Sequence, residues 1–445
     1  MIDNTLFDTR TAMFVTLGCK LNFAETSTVA NLLADKGIRR AQAGETPDLC
    51  VVNTCSVTDL ADKKCRQAIR QLHRRFPSAR IIVTGCYAQL KPGEVADIEG
   101  VDMVVGINDK LRIAQYVDQL RTTDPRAPEI VPSHMLREFM PSCSRGDRTR
   151  YFLKVQDGCD YWCSYCTIPA ARGRSRSGSI DSLVAQAAKV ASEGGREIVI
   201  TGVNIGDFGK GRSDSFIDLI RQLDNVDGIE RYRISSIEPN LLTEEIIEFV
   251  AASRRFMPHF HIPLQSGNDE VLKLMRRHYD TDHFRHKIEA VRSTMPHAFI
   301  GVDLIVGARG ETIERFEASR EFIESLPLSR LHVFTYSERP GTRALDIDHI
   351  VDQAEKHRRT QIMLGVSERM LREFSTPATG MVRPVLLEHP HRGHMGGFTD
   401  NYLRVELADM RPELANKVVN MRLDTLSADG TTFSGTIIEN NKLTQ

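Results

Sequence analysis

The sequence predicts an α/β protein of three parts: an open parallel sheet, a partial barrel and a small β-barrel. Short β-branched runs alternate with helical periodicity over the first ~120 residues and again from 150 to about 373, a pattern typical of βαβ units. The last ~65 residues lose the helical period and keep only short strands. The length of 445 residues agrees with roughly three domains.

The N-terminal part, residues 10–122, is predicted to be an open parallel α/β sheet with helices on its faces. Its strands are expected at the apolar runs 13–17, 49–52, 81–83 and 103–105. Helical periodicity lies between these runs, near 22–36 and 61–76. Four prolines then interrupt residues 123–148, which predicts a linker.

The central part, residues 145–374, is predicted to be a partial (β/α)6 barrel of the TIM type. Its strand-like runs are 151–156, 197–201, 231–237, 259–264, 299–306 and 330–336. A full barrel of eight units needs ~250 residues, so an open barrel with six units fits this span better.

The C-terminal part, residues 378–442, follows a short break at 375–380. Its short strand-like runs lie near 381–388, 402–407, 417–424 and 432–438. Turns rich in Gly and Asp separate these runs, so this part is predicted to be a small β-barrel.

The composition excludes several classes of protein. With 58 Lys+Arg against 59 Asp+Glu the net charge is −1, so the chain is not a uniformly basic nucleic-acid coat. No apolar run approaches the ~18 residues of a membrane span, and the N-terminus lacks a secretory signal, so a cytoplasmic protein without membrane contact is expected. Nine cysteines in a reducing compartment do not form a disulfide framework and are free for metal or chemistry.

Three cysteines, Cys159, Cys163 and Cys166, are spaced C-x3-C-x2-C directly after the first predicted barrel strand. We call them the loop trio. Three thiolates in one tight loop suit a [4Fe–4S] cluster, which then has one iron open to a small molecule. Tyr165, just before the last cysteine, offers an apolar face for a bound purine. The alternative is a zinc loop, although zinc usually requires four ligands in paired C-x2-C units.

Three further cysteines, Cys19, Cys55 and Cys86, each follow the end of a predicted parallel strand. We call them the sheet trio. The carboxyl ends of parallel strands lie at one edge of a sheet, so these distant thiols are expected to converge there. A second three-cysteine cluster site is the hypothesis. The alternative is that they are buried cysteines without a ligand, because free Cys is common in protein cores.

The other cysteines and two histidines are interpreted as structural or left without a role. Cys50 lies inside an apolar strand, and Cys65 falls on an apolar helical stripe, so both are expected in the core. Cys143 lies in the linker and is assigned no role. His259 and His261 share one face of a strand and are interpreted as packing or hydrogen-bonding residues, because a metal site needs more ligands.

Two basic clusters predict a surface for a polyanion. The first runs from Lys63 to Arg80 with seven Lys/Arg and no acid, and the second surrounds the loop trio. The members of the second cluster are Arg145, Arg148, Arg150, Lys154, Arg172, Arg174 and Arg176. A charge run is often only a solvated helix face, but two clusters beside two cysteine trios favour an RNA that reaches the site.

These motifs resemble the radical S-adenosylmethionine (radical SAM) methylthiotransferases over nearly the whole chain. The resemblance rests on both trios in their local motifs, 17–22, 53–55, 85–86 and 159–166, and on the stretches 233–239, 261–267, 332–334 and 339–342. Within the family, Cys19 with Lys20 and the run 171–177 are most similar to the branch that modifies N6-threonylcarbamoyladenosine. Residues 396–402 resemble the family's small RNA-binding barrel, the TRAM domain.

The resemblance implies two [4Fe–4S] clusters and S-adenosylmethionine as cofactors. The loop trio would hold the cluster that cleaves S-adenosylmethionine, and the sheet trio an auxiliary cluster that handles sulfur. Gly194, Gly195 and Glu197 match a stretch that meets the methionine amino group in such enzymes. The resemblance also implies cofactor-pocket roles for Ser236, Glu238 and Gln265.

The implied activity is transfer of a methylthio group to C2 of N6-threonylcarbamoyladenosine at position 37 of tRNA, beside the anticodon. An unactivated aryl C–H bond offers no acid–base route, so a cofactor radical carries the step. The implied partners are tRNA, a reducing electron-donor protein and a sulfur source. Two alternative substrates are isopentenyladenosine in tRNA and an aspartate of a ribosomal protein. A non-catalytic Fe–S protein that binds RNA is the alternative from another class.

Overall fold

The computed structural model describes residues 10–118, 120, 129–146 and 149–438. Part of the predicted linker (123–128), Arg148 and the ends of two predicted parts, at 122 and 439–442, lie outside the described residues. No helix among the described residues is long and apolar enough to cross a membrane. The limits 10–122, 145–374 and 378–442 remain proposed boundaries of the three parts.

The N-terminal part is a wholly parallel sheet, as the sequence predicts, in the order β2-β1-β3-β4-β5; the two-residue edge strand β2 was not predicted. Its strands are β1 (Thr11–Thr16), β2 (Arg39–Arg40), β3 (Leu49–Thr54), β4 (Arg80–Gly85) and β5 (Met103–Val105). Its helices are α1 (Lys20–Ala34), α2 (Asp59–Arg75), α3 (Cys86–Leu90), α4 (Pro92–Ala96) and α5 (Ile113–Tyr116). Helix α2 shows how they form: Thr58 caps its start, and Cys65, Ile69 and Leu72 bury one stripe.

The central part contains six parallel strands, which confirms the partial (β/α)6 barrel. They form two sheets, β11-β10-β7 and β12-β13-β14, which a bridge between Ser236 and His261 connects. Strands of this part are β6 (Ser142–Cys143), β7 (Arg150–Lys154), β8 (Gln156–Asp157), β9 (Arg176–Ser177), β10 (Glu197–Thr201), β11 (Arg231–Ile234), β12 (His259–His261), β13 (Phe299–Val306) and β14 (Arg330–Thr335). The short strand β6 was not predicted; it lies in the linker and pairs antiparallel with β7.

Helices cover the outside of this barrel. They are α6 (Ile168–Arg172), α7 (Ile180–Ser192), α8 (Phe216–Asp224), α9 (Glu244–Ala252), α10 (Asp269–Leu274), α11 (Thr281–Thr294), α12 (Ile313–Glu324) and α13 (Gln353–Ser375). One continuous apolar core joins helices α7–α13 to the strands, with Leu183, Leu219, Ile247 and Ile288 fully buried on four of them, whereas Ala171 of α6 packs in a separate cluster.

The C-terminal part is a closed barrel in the order β15-β16-β17-β19-β18, as predicted. Its strands are β15 (Val382–Leu387), β16 (Gly396–Thr399), β17 (Arg404–Leu407), β18 (Val418–Leu426) and β19 (Thr432–Ile437). The sequence analysis missed β16, which begins with two glycines. A Cβ atom on Gly397 would lie 1.9 Å from the Leu386 carbonyl oxygen, so close strand approach requires glycine there.

Candidate iron–sulfur and substrate site

The sheet trio lies at one edge of the N-terminal sheet, as its placement in the sequence predicts. Cys19 precedes α1 after β1, Cys55 follows β3, and Cys86 opens α3 directly after β4. Gly18 (φ +105°) approaches Cys55 so closely that a Cβ atom there would lie 2.8 Å from the Cys55 Cβ. Burial raises the pKa of Cys55 to about 12, and the neighbouring Cys86 and Cys19 thiols add to the rise. The three thiols therefore share one local environment.

Asn22 holds the strand ends that carry Cys19 and Cys55. Its side-chain amide donates to the carbonyl oxygens of Leu17 (2.8 Å) and Thr54 (3.0 Å). Since these carbonyls end β1 and β3, the buried amide fixes their spacing. The motif 17–22 thus has a structural role beyond its cysteine.

Each sulfur of the loop trio accepts a hydrogen bond. The backbone N–H groups of Tyr161 and Ile168 donate to Cys159 Sγ and Cys166 Sγ, both at 3.4 Å. Arg277 Nη1 donates to Cys163 Sγ at 3.1 Å. Such donors stabilise negative charge on sulfur, which a thiolate ligand carries. The donor set therefore fits an Fe–S cluster.

Arg277 is a site residue that the sequence analysis missed. It lies 114 residues from Cys163, on the segment after α10, and its guanidinium is buried in an ion pair with Glu238. Nothing in the local sequence pattern distinguishes it from the exposed arginine beside it. Only the barrel brings this arginine to the loop trio.

Among the residues that the structure describes, no three His, Cys, Asp or Glu side chains lie close enough to ligate one metal ion. A cubane cluster binds each thiolate through a different iron and so requires thiols further apart than ligands of one ion.

The two trios lie on facing elements of the two parts. Thr167, which follows Cys166, donates its hydroxyl to the backbone carbonyl of Ser56, which follows Cys55, at 3.4 Å. Cys86 also packs in one apolar cluster with Ala171 of α6, the helix that continues from the loop trio. The two cysteine sites are therefore adjacent.

A buried ion network joins the two parts beneath the trios. Glu25 of α1 contacts Arg172 at 2.9 Å, Lys154 at 2.8 Å and Lys110, and all four side chains are buried. Asp157 continues the network to Arg172 (2.9 Å), Lys154 (2.7 Å) and also Arg176 (3.1 Å). The network contains four cations and two carboxylates, so its net charge is two positive charges.

Burial raises the pKa of Cys86, and the charges of Arg172 and Lys110 oppose that rise, which favours a thiolate.

This network shows that the second predicted basic surface is wrong for the members of the cluster that it buries. Arg172 and Lys154 are buried, and Arg145 and Arg150 form ion pairs with Glu193 and Glu388. Arg174 is exposed. The sequence shows the arginines but not their carboxylate partners, some of which lie more than 100 residues away. The first cluster on α2 remains exposed at Arg70, Arg74 and Arg75.

Ser236, Glu238 and Gln265 lie near the carboxyl ends of β11 and β12, the barrel edge that also carries the loop trio. Glu238 pairs with Arg277, and Gln265 (φ +69°) donates its backbone N–H to the Asp303 carbonyl at 2.8 Å. A left-handed non-glycine residue is a strained feature that is typical of functional sites.

Tyr165 lies between Ser164 and the last cysteine of the loop trio. Its ring contacts the apolar cluster of Val271, Met275 and Tyr336, and burial raises its pKa well above the ordinary value. A purine-binding role for Tyr165 stays a prediction.

Gly194, Gly195 and Glu197 are not brought together with the loop trio. The two glycines form the turn before β10, and Glu197 opens that strand, at the amino end of the barrel. There Glu197 is buried and accepts a hydrogen bond from Arg233 at 2.9 Å. Parallel strands place these residues a strand's length from the cysteines. Their role in cofactor binding stays a prediction without support from this placement.

A cavity of ≈ 350 Å³ lies between Cys19 and the inner wall of the barrel. We call it the lumen cavity. Its apolar wall includes Phe152 and Val199, and Lys20 and Tyr402 reach it from the other two parts of the chain. The lysine that follows Cys19 is accessible to solvent within the cavity, and the protein around it lowers its pKa by desolvation.

The two histidines of β12 also face the barrel interior. His261 is hydrogen-bonded to Asp303 at 2.7 Å, and His259 lines the lumen cavity. The prediction that they are hydrogen-bonding or packing residues is confirmed for His261.

Comparisons with known proteins agree with this architecture. Residues 153–323 match the family model described as "Radical SAM superfamily", and residues 11–106 match "Uncharacterized protein family UPF0004". The radical SAM methyltransferase TsrM from Kitasatospora setae has a similar fold, with a TM-score of 0.55 at 15% identity over 88% of this chain and 82% of that chain. The fold and the cysteine site thus define a radical SAM enzyme.

The relatives are methylthiotransferases. The threonylcarbamoyladenosine tRNA methylthiotransferase MtaB of Bacillus subtilis is 37% identical over 93% of both chains, and that of Aquifex aeolicus 32% identical over 88% of this chain and 95% of its own. A tRNA-2-methylthio-N(6)-dimethylallyladenosine synthase from Syntrophotalea carbinolica is 30% identical over 92% of this chain and 95% of its own. This chain belongs to the radical SAM methylthiotransferase family.

Proposed function

We propose that this enzyme transfers a methylthio group to C2 of N6-threonylcarbamoyladenosine in tRNA. The observation that carries the proposal is the adjacency of the two trios, with Thr167 bonded to Ser56 between them. Insertion of sulfur into a C–H bond requires a radical source and a sulfur source close together, and two adjacent cysteine sites supply both positions. The relatives support the choice of nucleoside, since the proteins named for threonylcarbamoyladenosine are 32–37% identical and those named for dimethylallyladenosine 29–30%.

The enzyme uses two [4Fe–4S] clusters and S-adenosylmethionine. The loop trio would hold one cluster and the sheet trio the other; when bound, these cofactors would supply the radical that removes the C2 hydrogen and the methylated sulfur that takes its place. Ser236, Glu238 and Gln265 are proposed to contact S-adenosylmethionine at the carboxyl edge of the barrel. Position 37 beside the anticodon is the proposed target, and a reducing electron-donor protein and a sulfur source are the further partners that this reaction requires.

The chain's own residues hold this site in place. Arg277 fixes Cys163 and Glu238 relative to each other, and the Asn22 amide fixes the strands of the sheet trio. The buried network around Glu25 keeps the two parts in register, because any separation would leave several charges without partners in a low-dielectric interior. The net positive charge of this network stabilises thiolates and clusters that carry negative charge.

Nucleoside analysis of tRNA tests this function. A deletion strain should lose 2-methylthio-N6-threonylcarbamoyladenosine by mass spectrometry, and the wild-type gene should restore it, whereas a gene with the sheet trio changed to Ala should not. Unchanged methylthio content in the deletion strain would reject the proposal. Loss of the dimethylallyl product or of a modified ribosomal-protein aspartate instead would assign one of the two other substrates. Formation of 5′-deoxyadenosine by reduced enzyme with S-adenosylmethionine excludes a non-catalytic RNA-binding protein.

A tRNA-modifying role would place the enzyme in the cytoplasm, where its substrate is found. The exposed arginines of α2 are the proposed contact with the phosphate backbone, because they form a solvated positive face without nearby acids on that stretch.

A further inference from the structure

The lumen cavity contains a cation that has no partner. In the part of the chain that the structure describes, the Lys20 ammonium has no hydrogen bond or ion pair, and the groups whose charge favours it are the Tyr402 phenol and Asp303. Asp303 already pairs with His261 at 2.7 Å, and the Glu197 carboxylate already pairs with Arg233 of the cavity wall at 2.9 Å. A lysine ammonium inside a protein cavity ordinarily has an anionic partner, so Lys20 is available to one that arrives from outside.

The other two cations of the cavity add positive potential but have their own partners. Arg233 donates to Glu197 and to the carbonyls of Thr399 and Asp400, both at 2.7 Å. Arg150 pairs with Glu388 at 3.1 Å and donates to the Tyr402 hydroxyl at 3.2 Å. Both arginines are thereby held rigidly at the wall, and Lys20 is left as the adaptable donor.

Two further residues of the wall point to a ligand. His259 is 8% exposed, and its Nδ1 has no hydrogen-bond partner among the described residues. Tyr402 has a left-handed backbone (φ +68°), which costs energy in a residue with a side chain, and its ring packs 4.6 Å from that of His259. Burial raises the pKa of Tyr402, but Arg150 and Lys20 outweigh burial and lower it, which indicates a positive local field.

We infer that the lumen cavity binds the carboxylate of the N6 substituent of the target adenosine, with Lys20 as the residue that determines this specificity. The inference rests on the proposed function. The threonylcarbamoyl group ends in a carboxylate, whereas a dimethylallyl group is uncharged. Phe152 and Val199 offer an apolar wall to the methyl group of the threonyl moiety.

The connectivity of adenine supports this placement. C2 and C6 are both bonded to N1, so a substituent on the C6 amino group leaves the ring on the edge that also carries C2. A base whose C2 faces the sulfur site at Cys19 therefore directs its N6 substituent to the neighbouring Lys20. The cavity volume of ≈ 350 Å³ falls within the range of small-molecule sites, about 300–1,000 Å³.

Equilibrium binding of anticodon stem-loop RNA to the reconstituted holoenzyme tests the inference. The probes are three RNAs that differ at one adenosine. The first carries N6-threonylcarbamoyladenosine, the second carries its methylamide, in which an uncharged amide replaces the carboxylate, and the third carries unmodified adenosine. The wild type should bind the acid about 10- to 100-fold more tightly than the methylamide, the range expected for a hydrogen bond to a charged group. The Lys20→Met variant should bind the acid RNA and the methylamide RNA equally, and Lys20→Arg should keep part of the preference for the acid. The control variant Lys189→Met, which changes an exposed lysine on α7, should keep the full preference.

The outcomes separate the inference from the proposed function. Equal binding of acid and methylamide by the wild type, or an undiminished preference in Lys20→Met, would overturn the inference. The wild-type comparison does not depend on whether the variant folds or keeps its iron. Methylthiolation of the acid RNA is measured separately: its absence would reject the proposed function even where the carboxylate preference is found.

Discussion

The Thr167 hydroxyl donates to the Ser56 carbonyl at 3.4 Å and so connects the residue after the last loop-trio cysteine to the residue after the central sheet-trio cysteine. This hydrogen bond spans 111 residues of sequence. It places two sites, each composed of three thiols, on opposite sides of one interface. Residues on the two sides of that interface can be substituted separately, so the contribution of each side to iron binding, reduction potential and stability can be measured.

Changing Cys19, Cys55 and Cys86 together to Ala should lower the iron content of anaerobically reconstituted enzyme from about eight to about four atoms per chain, because each cubane contains four irons. Iron and sulfide analysis measures the change. Cys50→Ala, a buried cysteine of β3, is the matched control and should keep about eight. Loss of all iron in the triple variant would contradict two independent clusters.

Arg277→Met should make the reduction potential of the loop-trio cluster more negative. The guanidinium donates to Cys163 Sγ, and a donor to a cluster sulfur stabilises the reduced state, which carries more negative charge. A redox titration followed by electron paramagnetic resonance measures the potential. Lys273→Met, an exposed change on α10, should leave it unaltered, and an unshifted potential in Arg277→Met would contradict the role of this hydrogen bond.

Arg172→Met should destabilise the folded protein by about 3–5 kcal/mol, because it leaves Glu25 and Asp157 buried with fewer partners. Urea unfolding measures the loss. Arg174→Met, an exposed arginine two residues away, should change the free energy of unfolding by no more than about 0.5 kcal/mol. Equal effects of the two variants would show that the network adds nothing to stability.

Glu25→Gln should cost stability at neutral pH and cost progressively less in acid. Burial raises the pKa of Glu25, but Arg172, Lys110 and Lys154 lower it well below 4.5, so the carboxylate stabilises the fold above its unfolded pKa. That stabilisation is lost as the pH falls below about 4.5 and through the folded pKa. Urea midpoints of wild type and variant should therefore converge in acid, whereas a difference independent of pH would contradict the linkage. Glu99→Gln, an exposed carboxyl, is the control.

Replacing Arg70 and Arg74 with Gln should weaken tRNA binding and reduce the slope of log affinity against log salt by about one for each arginine–phosphate pair that the substitutions remove. Binding titrations at several salt concentrations measure the slope. Lys189→Gln on α7 should leave the slope unchanged. An unchanged slope in the double variant would place the RNA on another face.

The sequence predicted the fold better than it predicted the charges. The positions of buried parallel strands follow from apolar runs and the helical periods between them, and β1, β3, β4 and β5 lie where these patterns place them. The glycine-rich β16 and the two-residue strands β2, β6 and β9 were missed because none of them has an apolar period. The second basic cluster was misread because an arginine in the sequence shows no sign of its partner.

By itself, the sequence determined where the cysteines lie that we propose as cluster ligands: one set of three at strand ends and one set of three in a single tight loop. Spacing and strand ends are local properties, so they can be read along the chain. Only the tertiary structure decided that Arg172 is buried rather than a phosphate contact, that Arg277 reaches Cys163, and that Lys20 faces a cavity in which, among the described residues, it has no ion pair. Whether a charged side chain is paired in the interior or exposed to solvent depends on its burial and on partners distant in sequence. Only the folded chain brings such partners into contact.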